Sequence, residues 1–520
     1  MTAPASAVSI DEVDGIDPKT YHRRWAILAT MCLSLVLIVA TVSSVNVAIP
    51  ALAGSELRPS DTQILWIVDA YALVFAALLL PAGALGDRFG RKGALLIGLV
   101  IFAVASAVCA FMTNANSLIA CRAIMGIGAA LIMPSTLSLL QSCFPRRERA
   151  KAIAMWAGFA GAGGAIGPIL GGLLVGHFWY GSVFLVAAPI SVIAFVASAI
   201  LAPNSREAVA HALDFRGAAL SIAGFAALLA AIIEGPERGW TDPLVVGGFV
   251  VAVGCLVGFV LYEKRAEMPM LDMKFFDNRR FAMGSLGITV TFFAMFSMFF
   301  VLTQYLQYVK GYSPLSAGLR GLPFAVTMIA VSPRAPLIAQ TIGAKKAVAG
   351  GMLSLVFGLL LLSRVSLDTP YWYVALCLVL AAYGVGSSMP SLSSGIVQSV
   401  PMDKAGVGSA VNDTTREVGG AIGIAVIGSV VNSIYRSNIG SSLAQLPAEL
   451  QSLATDNIAK ALAISGSLDP QVGNEVRTAV QQAFVDGMHV ALRLSALVVA
   501  LGAVVMYRRL PDSGEHGADH

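Results

Sequence analysis

Residues 64–112 read ILWIVDAYALVFAALLLPAGALGDRFGRKGALLIGLVIFAVASAVCAFM. Two apolar runs flank a short turn crowded with charge, Asp87-Arg88-Phe89-Gly90-Arg91-Lys92. Each run has about 20 residues, enough to cross a hydrocarbon layer of about 30 Å. Lipid offers the backbone no hydrogen-bond partners, so both runs must be helices. Read outward from here, the pattern repeats and predicts fourteen spans. They fall at 25–48, 64–85, 93–112, 117–140, 151–175, 182–202, 215–234, 243–262, 281–306, 315–339, 345–363, 371–395, 406–432 and 488–507.

Composition agrees with an all-α membrane protein. Of 520 residues, 57% are apolar and 12% charged, against about 45–50% and about 25% in soluble domains. An even number of spans puts both termini on one side. Assigned alternately, the loops on that side hold about two-thirds of the 34 Lys and Arg, including Arg23-Arg24, Arg146-Arg147, Lys264-Arg265, Arg279-Arg280 and Arg508-Arg509. The excess of basic residues predicts that the termini are cytoplasmic. The net charge of +4 is spread over loops and gives no reason to expect a nucleic-acid partner. The first twenty residues are polar, with no apolar segment and cleavage site, so a removed signal peptide is not expected. The six cysteines lie in or beside apolar runs without metal or redox spacing and read as packing residues.

An internal repeat divides the chain. Gly163-Gly164-Ala165-Ile166-Gly167 recurs 256 residues on as Gly419-Gly420-Ala421-Ile422-Gly423, and Pro145 matches Pro401 in step. Gly90 and Lys92 match Gly343 and Lys345 at an offset of 253. The reading is a tail at 1–24, a six-helix bundle at 25–202, two inserted helices within 203–280, a second six-helix bundle at 281–507 and a tail at 508–520. A long outer loop at 433–487, with helix-forming stretches such as Ala459–Ile464, is expected to cap the outer side. Halves related in this way rock against each other around a central site in secondary transporters.

Several stretches resemble a known family. Gly83-Ala84-Leu85-Gly86-Asp87-Arg88-Phe89-Gly90-Arg91-Lys92 is similar to the signature loop of the major facilitator superfamily. Arg122-Ala123-Ile124-Met125-Gly126, Trp66-Ile67-Val68-Asp69-Ala70-Tyr71 and Gly163 through Gly172 agree with it. With fourteen spans, the whole chain resembles the drug:proton antiporters of the QacA and LfrA type. The resemblance implies the major facilitator fold with two extra helices and alternating-access export of amphipathic, often cationic compounds against protons. It also implies no cofactor beyond the proton gradient. Gly83, Asp87, Arg88, Gly90 and Arg91 are then the conformational latch, for which breakable charge contacts suit a state that must open. Gly163, Gly167, Pro168, Gly171 and Gly172 would form the antiporter hinge. Gly163, Gly167 and Gly171 share one helix face, and Pro168 removes a backbone donor.

Ionisable residues inside a bilayer are costly and carry function. Five stand out as proton-coupling candidates: Asp69, Arg122, Asp413, Arg416 and Glu417. Asp69 lies ~27 Å along its helix from Asp87, and Arg122 ~35 Å from Pro145, placing both in the outer half. Asp413 and Glu417 lie ~13 Å and ~20 Å past Lys404, near mid-membrane. They are four residues apart on one face, beside Arg416. Two carboxylates confined together cannot both ionise cheaply, which suits one of them to carry a proton. Their repeat equivalents are Ala157 and Gly161, so this chemistry is expected in one half only. Members of the resembled family usually have an Asp in span one, nine residues before its closing Pro. Thr41 stands there, before Pro50. Arg122 therefore lacks its usual acidic neighbour, and Asp69 is expected to pair with it.

Trp66, Phe292, Met295, Phe296, Phe299, Phe300 and Tyr305 are candidates for substrate contact, because aromatic and thioether groups adapt to flat or cationic ligands. The chain reads no Gly-x-Ser-x-Gly, His-Glu-x-x-His, P-loop or Gly-x-Gly-x-x-Gly motif, so an enzyme or an ATP-driven pump lacks its parts, and no metal site is expected. Two other readings compete: export of an endogenous lipid, siderophore or metabolite on the same fold, and a channel. A channel would want a ring of subunits, whereas two matched halves favour alternating access in a monomer.

Overall fold

The computed structural model describes residues 14–511 except 15, 54, 58, 60, 205–213, 440–450, 452, 453, 456 and 457. Most of both predicted tails and part of the 433–487 loop lie outside the described residues. The fold is all-helical, and fourteen helices are long and apolar enough to cross a membrane. The first six are α1 (Pro18–Ala53), α2 (Asp61–Phe89), α3 (Arg91–Ala110), α4 (Ala115–Cys143), α5 (Arg146–His177) and α6 (Ser182–Leu201). Then come α7 (Phe215–Arg238) and α8 (Pro243–Glu263). The last six are α9 (Arg279–Gln304), α10 (Pro314–Ile342), α11 (Ala344–Leu362), α12 (Tyr371–Gln398), α13 (Ala405–Ile439) and α14 (Pro470–Arg509).

Helix starts carry their own signals. Asn114, Asp214, Asp242 and Asn278 each cap a following helix by accepting a hydrogen bond from a backbone N–H two or three residues on. At α14 the helix begins eighteen residues before the expected span at 488. Asp469 accepts from Gln471 N at 3.0 Å, and Pro470 occupies the first turn, where no N–H is needed. A hydropathy window stops at Glu475, Arg477 and Asp486, but a helix with a wet face does not. The predicted outer loop is therefore largely helix where it is described, with a short helix at Ile458–Ser467 and the first turns of α14. Tyr435 donates to Ala454 O at 2.9 Å, and Gln481 donates to Tyr308 O at 2.9 Å, tying this region onto the outer ends of α13 and α9.

Helices α1–α6 pack as one bundle and α9–α14 as another. The repeat has a geometric counterpart. A Cβ at Gly163, Gly167 or Gly171 would run into Val39, Ala40 O or Ser44 O, so the glycine face of α5 lies hard against α1. A Cβ at Gly419 or Gly423 would run into Thr289 O or Phe293 O, so α13 lies against α9 in the same manner. The turns match too: Gly90 (φ 103°, ψ 127°) and Gly343 (φ 89°, ψ 146°) share a backbone shape that favours glycine. The inserted helices α7 and α8 pair with each other. Of the two, α7 packs on both α2 and α13, and Trp240 Nε1 donates to Ser429 Oγ at 2.9 Å.

Candidate functional site

The two bundles meet through α2 and α13 on one side and through α5 and α10 on the other, with α4 and α12 reaching across as well. At the end nearest the termini, a Cβ on Gly83 would sit 2.6 Å from Gly406 O, so α2 and α13 touch backbone to backbone. Asp87 Oδ1 accepts from Gly406 N at 2.8 Å and Oδ2 from Val407 N at 3.1 Å. These donors are the free N–H groups of the α13 N-terminus, where the helix dipole favours an anion. Arg91 donates to Asp87 Oδ1 at 3.1 Å and also bonds Met402 O. Gly83, Asp87 and Arg91 therefore form one contact joining the halves. Gly90 shapes the turn behind it, and the Arg88 guanidinium lies 5.3 Å over the Phe89 ring.

Midway along α13 lies the acidic cluster. Asp413 is fully buried and Arg416 nearly so. Arg416 donates to Asp413 Oδ1 at 3.4 Å, and Asn412 donates to the same oxygen at 3.0 Å. Around Arg416 stand the Trp156 ring of α5 at 5.0 Å, the Phe292 ring of α9 at 4.9 Å and Met389 Sδ of α12 at 3.7 Å. The site thus draws on both halves. It is not internally satisfied: Asp413 Oδ2, Arg416 Nε and Asn412 Oδ1 are buried without a hydrogen-bond partner. A buried charge cluster with open valences is costly to hold, and it is well suited to exchange a proton or a cation. Glu417 is half-buried, one turn beyond Asp413, and acts electrostatically on Arg416.

The second buried arginine sits within the N-terminal bundle. Arg122 on α4 is fully buried and donates to Ile67 O at 2.8 Å and Val68 O at 3.2 Å, with the Tyr71 ring 4.5 Å away. Asp69 acts on it through space. The expected pairing is therefore met by two carbonyls and an aromatic face, with the carboxylate at longer range. Thr41 bonds back to Leu37 O at 2.7 Å on its own helix.

Gly163, Gly167 and Gly171 face α1, whereas Pro168 and Gly172 face Gly318 and Leu315 of α10. The helix α5 runs unbroken through Pro168. Along α9, Phe292 stacks edge-on with Phe296 at 5.6 Å, and Phe296 lies over Gly420. Phe299 meets Phe324 of α10 at 4.9 Å, Phe300 lies beside Gly428, and Met295 is buried. Trp66 is half-buried on α2. Tyr305 is buried in the helical turn that continues α9, with its hydroxyl donating to Ser366 O at 2.8 Å, which ties that helix end to the loop between α11 and α12. Sequence reasoning missed Trp156, Met389 and Asn412. The signal for Trp156 was present, since it is the repeat equivalent of Asn412 beside Asp413.

The family model of the Major Facilitator Superfamily matches residues 31–424. The chain belongs to this superfamily. As a major facilitator protein it is a multi-pass membrane transporter and not an enzyme. Among curated relatives, it is 34% identical over 491 residues to the multidrug efflux pump LfrA of Mycolicibacterium smegmatis, covering 94% of this chain and 96% of that one. It is 29% identical to the methyl viologen resistance protein SmvA of Salmonella typhimurium, covering 93% and 98%. It is also 28% identical to the tetracenomycin C resistance and export protein of Streptomyces glaucescens, covering 96% and 94%. Among solved structures, the proton:xylose symporter XylE has the same fold at a TM-score of 0.59 and 13% identity, over 95% of this chain and 97% of that one.

Proposed function

We propose that this major facilitator protein is a proton-coupled antiporter that exports amphipathic, often cationic compounds from the cytoplasm by alternating access. One observation carries the reading: the buried, incompletely satisfied Asp413–Arg416 pair on α13, ringed by Trp156, Phe292 and Met389. A deprotonated carboxylate there attracts either a proton or a lipophilic cation, and aromatic faces hold the latter. Competition for one carboxylate is exchange. The names of the relatives, LfrA and SmvA, support a drug-like cargo. The protein works in the plasma membrane as a monomer with both termini cytoplasmic, as the basic loops favour, and draws on the proton gradient with no cofactor.

In this state the Asp87 latch holds the cytoplasmic ends of α2 and α13 together. Asp87→Asn removes the charge that holds the α13 N-terminus and frees Arg91. Maleimide labelling of an Ala410→Cys reporter is expected to rise by about tenfold, and unchanged labelling would refute the latch. The function itself is tested by ethidium transport in inverted vesicles with and without an imposed pH gradient. Gradient-driven accumulation is expected. Accumulation indifferent to the gradient overturns antiport, and flux that never saturates points to a channel.

A further inference from the structure

At the end of the molecule nearest the termini, the inserted helices bring together a second acidic pair, away from the α13 cluster. Asp214 caps the start of α7, its Oδ1 accepting from Gly217 N at 2.8 Å. Glu263 is the last residue of α8 and only 2% exposed, and its Oε2 accepts from Leu271 N at 3.3 Å. The remaining oxygens, Asp214 Oδ2 and Glu263 Oε1, are both buried without a hydrogen-bond partner. They converge on one point: a Cβ on Gly217 would sit 2.3 Å from the first and 2.4 Å from the second. Among the described residues neither carboxylate forms an ion pair. Met270 and Leu271 are themselves buried, so the linker after α8 lies folded over Glu263. Tyr262 and Arg216 are the other titratable groups at this corner.

Two carboxylates whose bare oxygens face each other out of water cannot both ionise cheaply, and one proton between those oxygens gives each the partner it lacks. We infer that Asp214 and Glu263 form a proton-binding site that holds one proton between them and clasps the inserted helix pair to the linker that follows it. The inference goes beyond the antiport reading and does not depend on it. The donor set suits a proton better than a metal ion, because backbone N–H groups already take one oxygen of each carboxylate. Two oxygens remain, whereas a hard divalent cation takes about six. The linker leads into the second bundle: from Leu271 it runs through the short turn Met273–Asp277 to α9, with Phe276 edge-on to Phe281 at 4.9 Å. Lys404, just ahead of α13, lies 5.9 Å over the Phe275 ring. When the proton leaves, the carboxylates repel and the linker loosens where it meets the start of α13.

The test follows thermal unfolding of the full-length purified protein from about pH 5 to about pH 8, since a proton held only in the folded state adds stability that is lost as pH rises. Asp214→Asn keeps the helix cap and offers Glu263 a permanent donor in place of the shared proton. It is expected to unfold about 2 °C above the wild type at the alkaline end, where the wild type has lost the proton, and the gap should close towards the acid end. Glu263→Gln should do the same, and it carries the prediction if Asp214→Asn does not fold. A gap that stays constant across pH, or a wild type above both variants at the alkaline end, overturns the inference. So does stabilisation of the wild type, but not of Asp214→Asn, by added magnesium or calcium, which would make this a metal site. Tyr262→Phe should keep the wild-type pH dependence, and its loss would put the proton on the phenol instead. All of this is read without cargo or gradient, so it stands apart from the ethidium test of antiport.

Discussion

Helices α5 and α13 share a glycine motif and a mode of packing, yet they carry different side chains to the interface between the halves. Each buries a row of glycines against the first helix of its own bundle, α5 on α1 and α13 on α9. Where α13 carries Asp413, Arg416 and Glu417, α5 carries Ala157, Ala160 and Gly161. The α5 equivalent of Asn412 is Trp156, and its ring crosses the interface to stand over Arg416. The repeat supplies the scaffold twice, and the departures from it supply one site. A fold with two matched halves can therefore house a one-sided charged site, with the other half contributing the wall.

The comparison breaks most readily at Asp413. Asp413→Asn keeps the shape and removes the charge, so pH-gradient-driven ethidium transport should fall to the vector-only background while the protein still reaches the membrane and elutes as a single species. Retention of half the activity or more would move the coupling site elsewhere. Gly167→Ala and Gly423→Ala sharpen the comparison from the packing side. Each Cβ meets a backbone carbonyl of the partner helix, and each should cost about 1–3 kcal/mol, read as a lowered thermal midpoint in detergent. A large loss in one and none in the other would deny the structural equivalence of the halves.

Arg122→Ala tests whether the other buried arginine is held mainly as structure. It removes the two bonds to Ile67 O and Val68 O and leaves a cavity beside Tyr71, so a loss of about 2 kcal/mol is expected in thermal unfolding. Arg122→Lys, which cannot fork between two carbonyls, should fall between. The smallest effect is expected for Trp156→Phe. The bond from Trp156 Nε1 to Thr136 Oγ1 at 3.2 Å is lost and the cation–π contact weakens, for about 1 kcal/mol. Its ethidium affinity should fall less than that of Phe292→Ala, and the reverse order would place the cargo against α5.

Much of this was legible in the chain because lipid is an unforgiving solvent. Apolar runs of helical length and basic residues gathered in every second loop, on one side, follow from backbone hydrogen bonding and charge burial alone. So did the singling out of Asp413 and Arg416, since a charge placed mid-span has few bland explanations. The helical reach of α14 beyond its apolar segment was hidden, because a hydropathy window measures lipid contact and this stretch of helix is wet.

The sequence by itself determined the number of spans, the internal repeat and which helix carries the acids, because these depend on local composition and period. Only the tertiary structure decided what surrounds them: that carbonyls of α2 take up Arg122, and that Trp156 and Met389 close over Arg416. Those neighbours come from helices remote in sequence, brought together by glycine faces that let backbones touch, and no periodicity within a single helix records which partner it will meet.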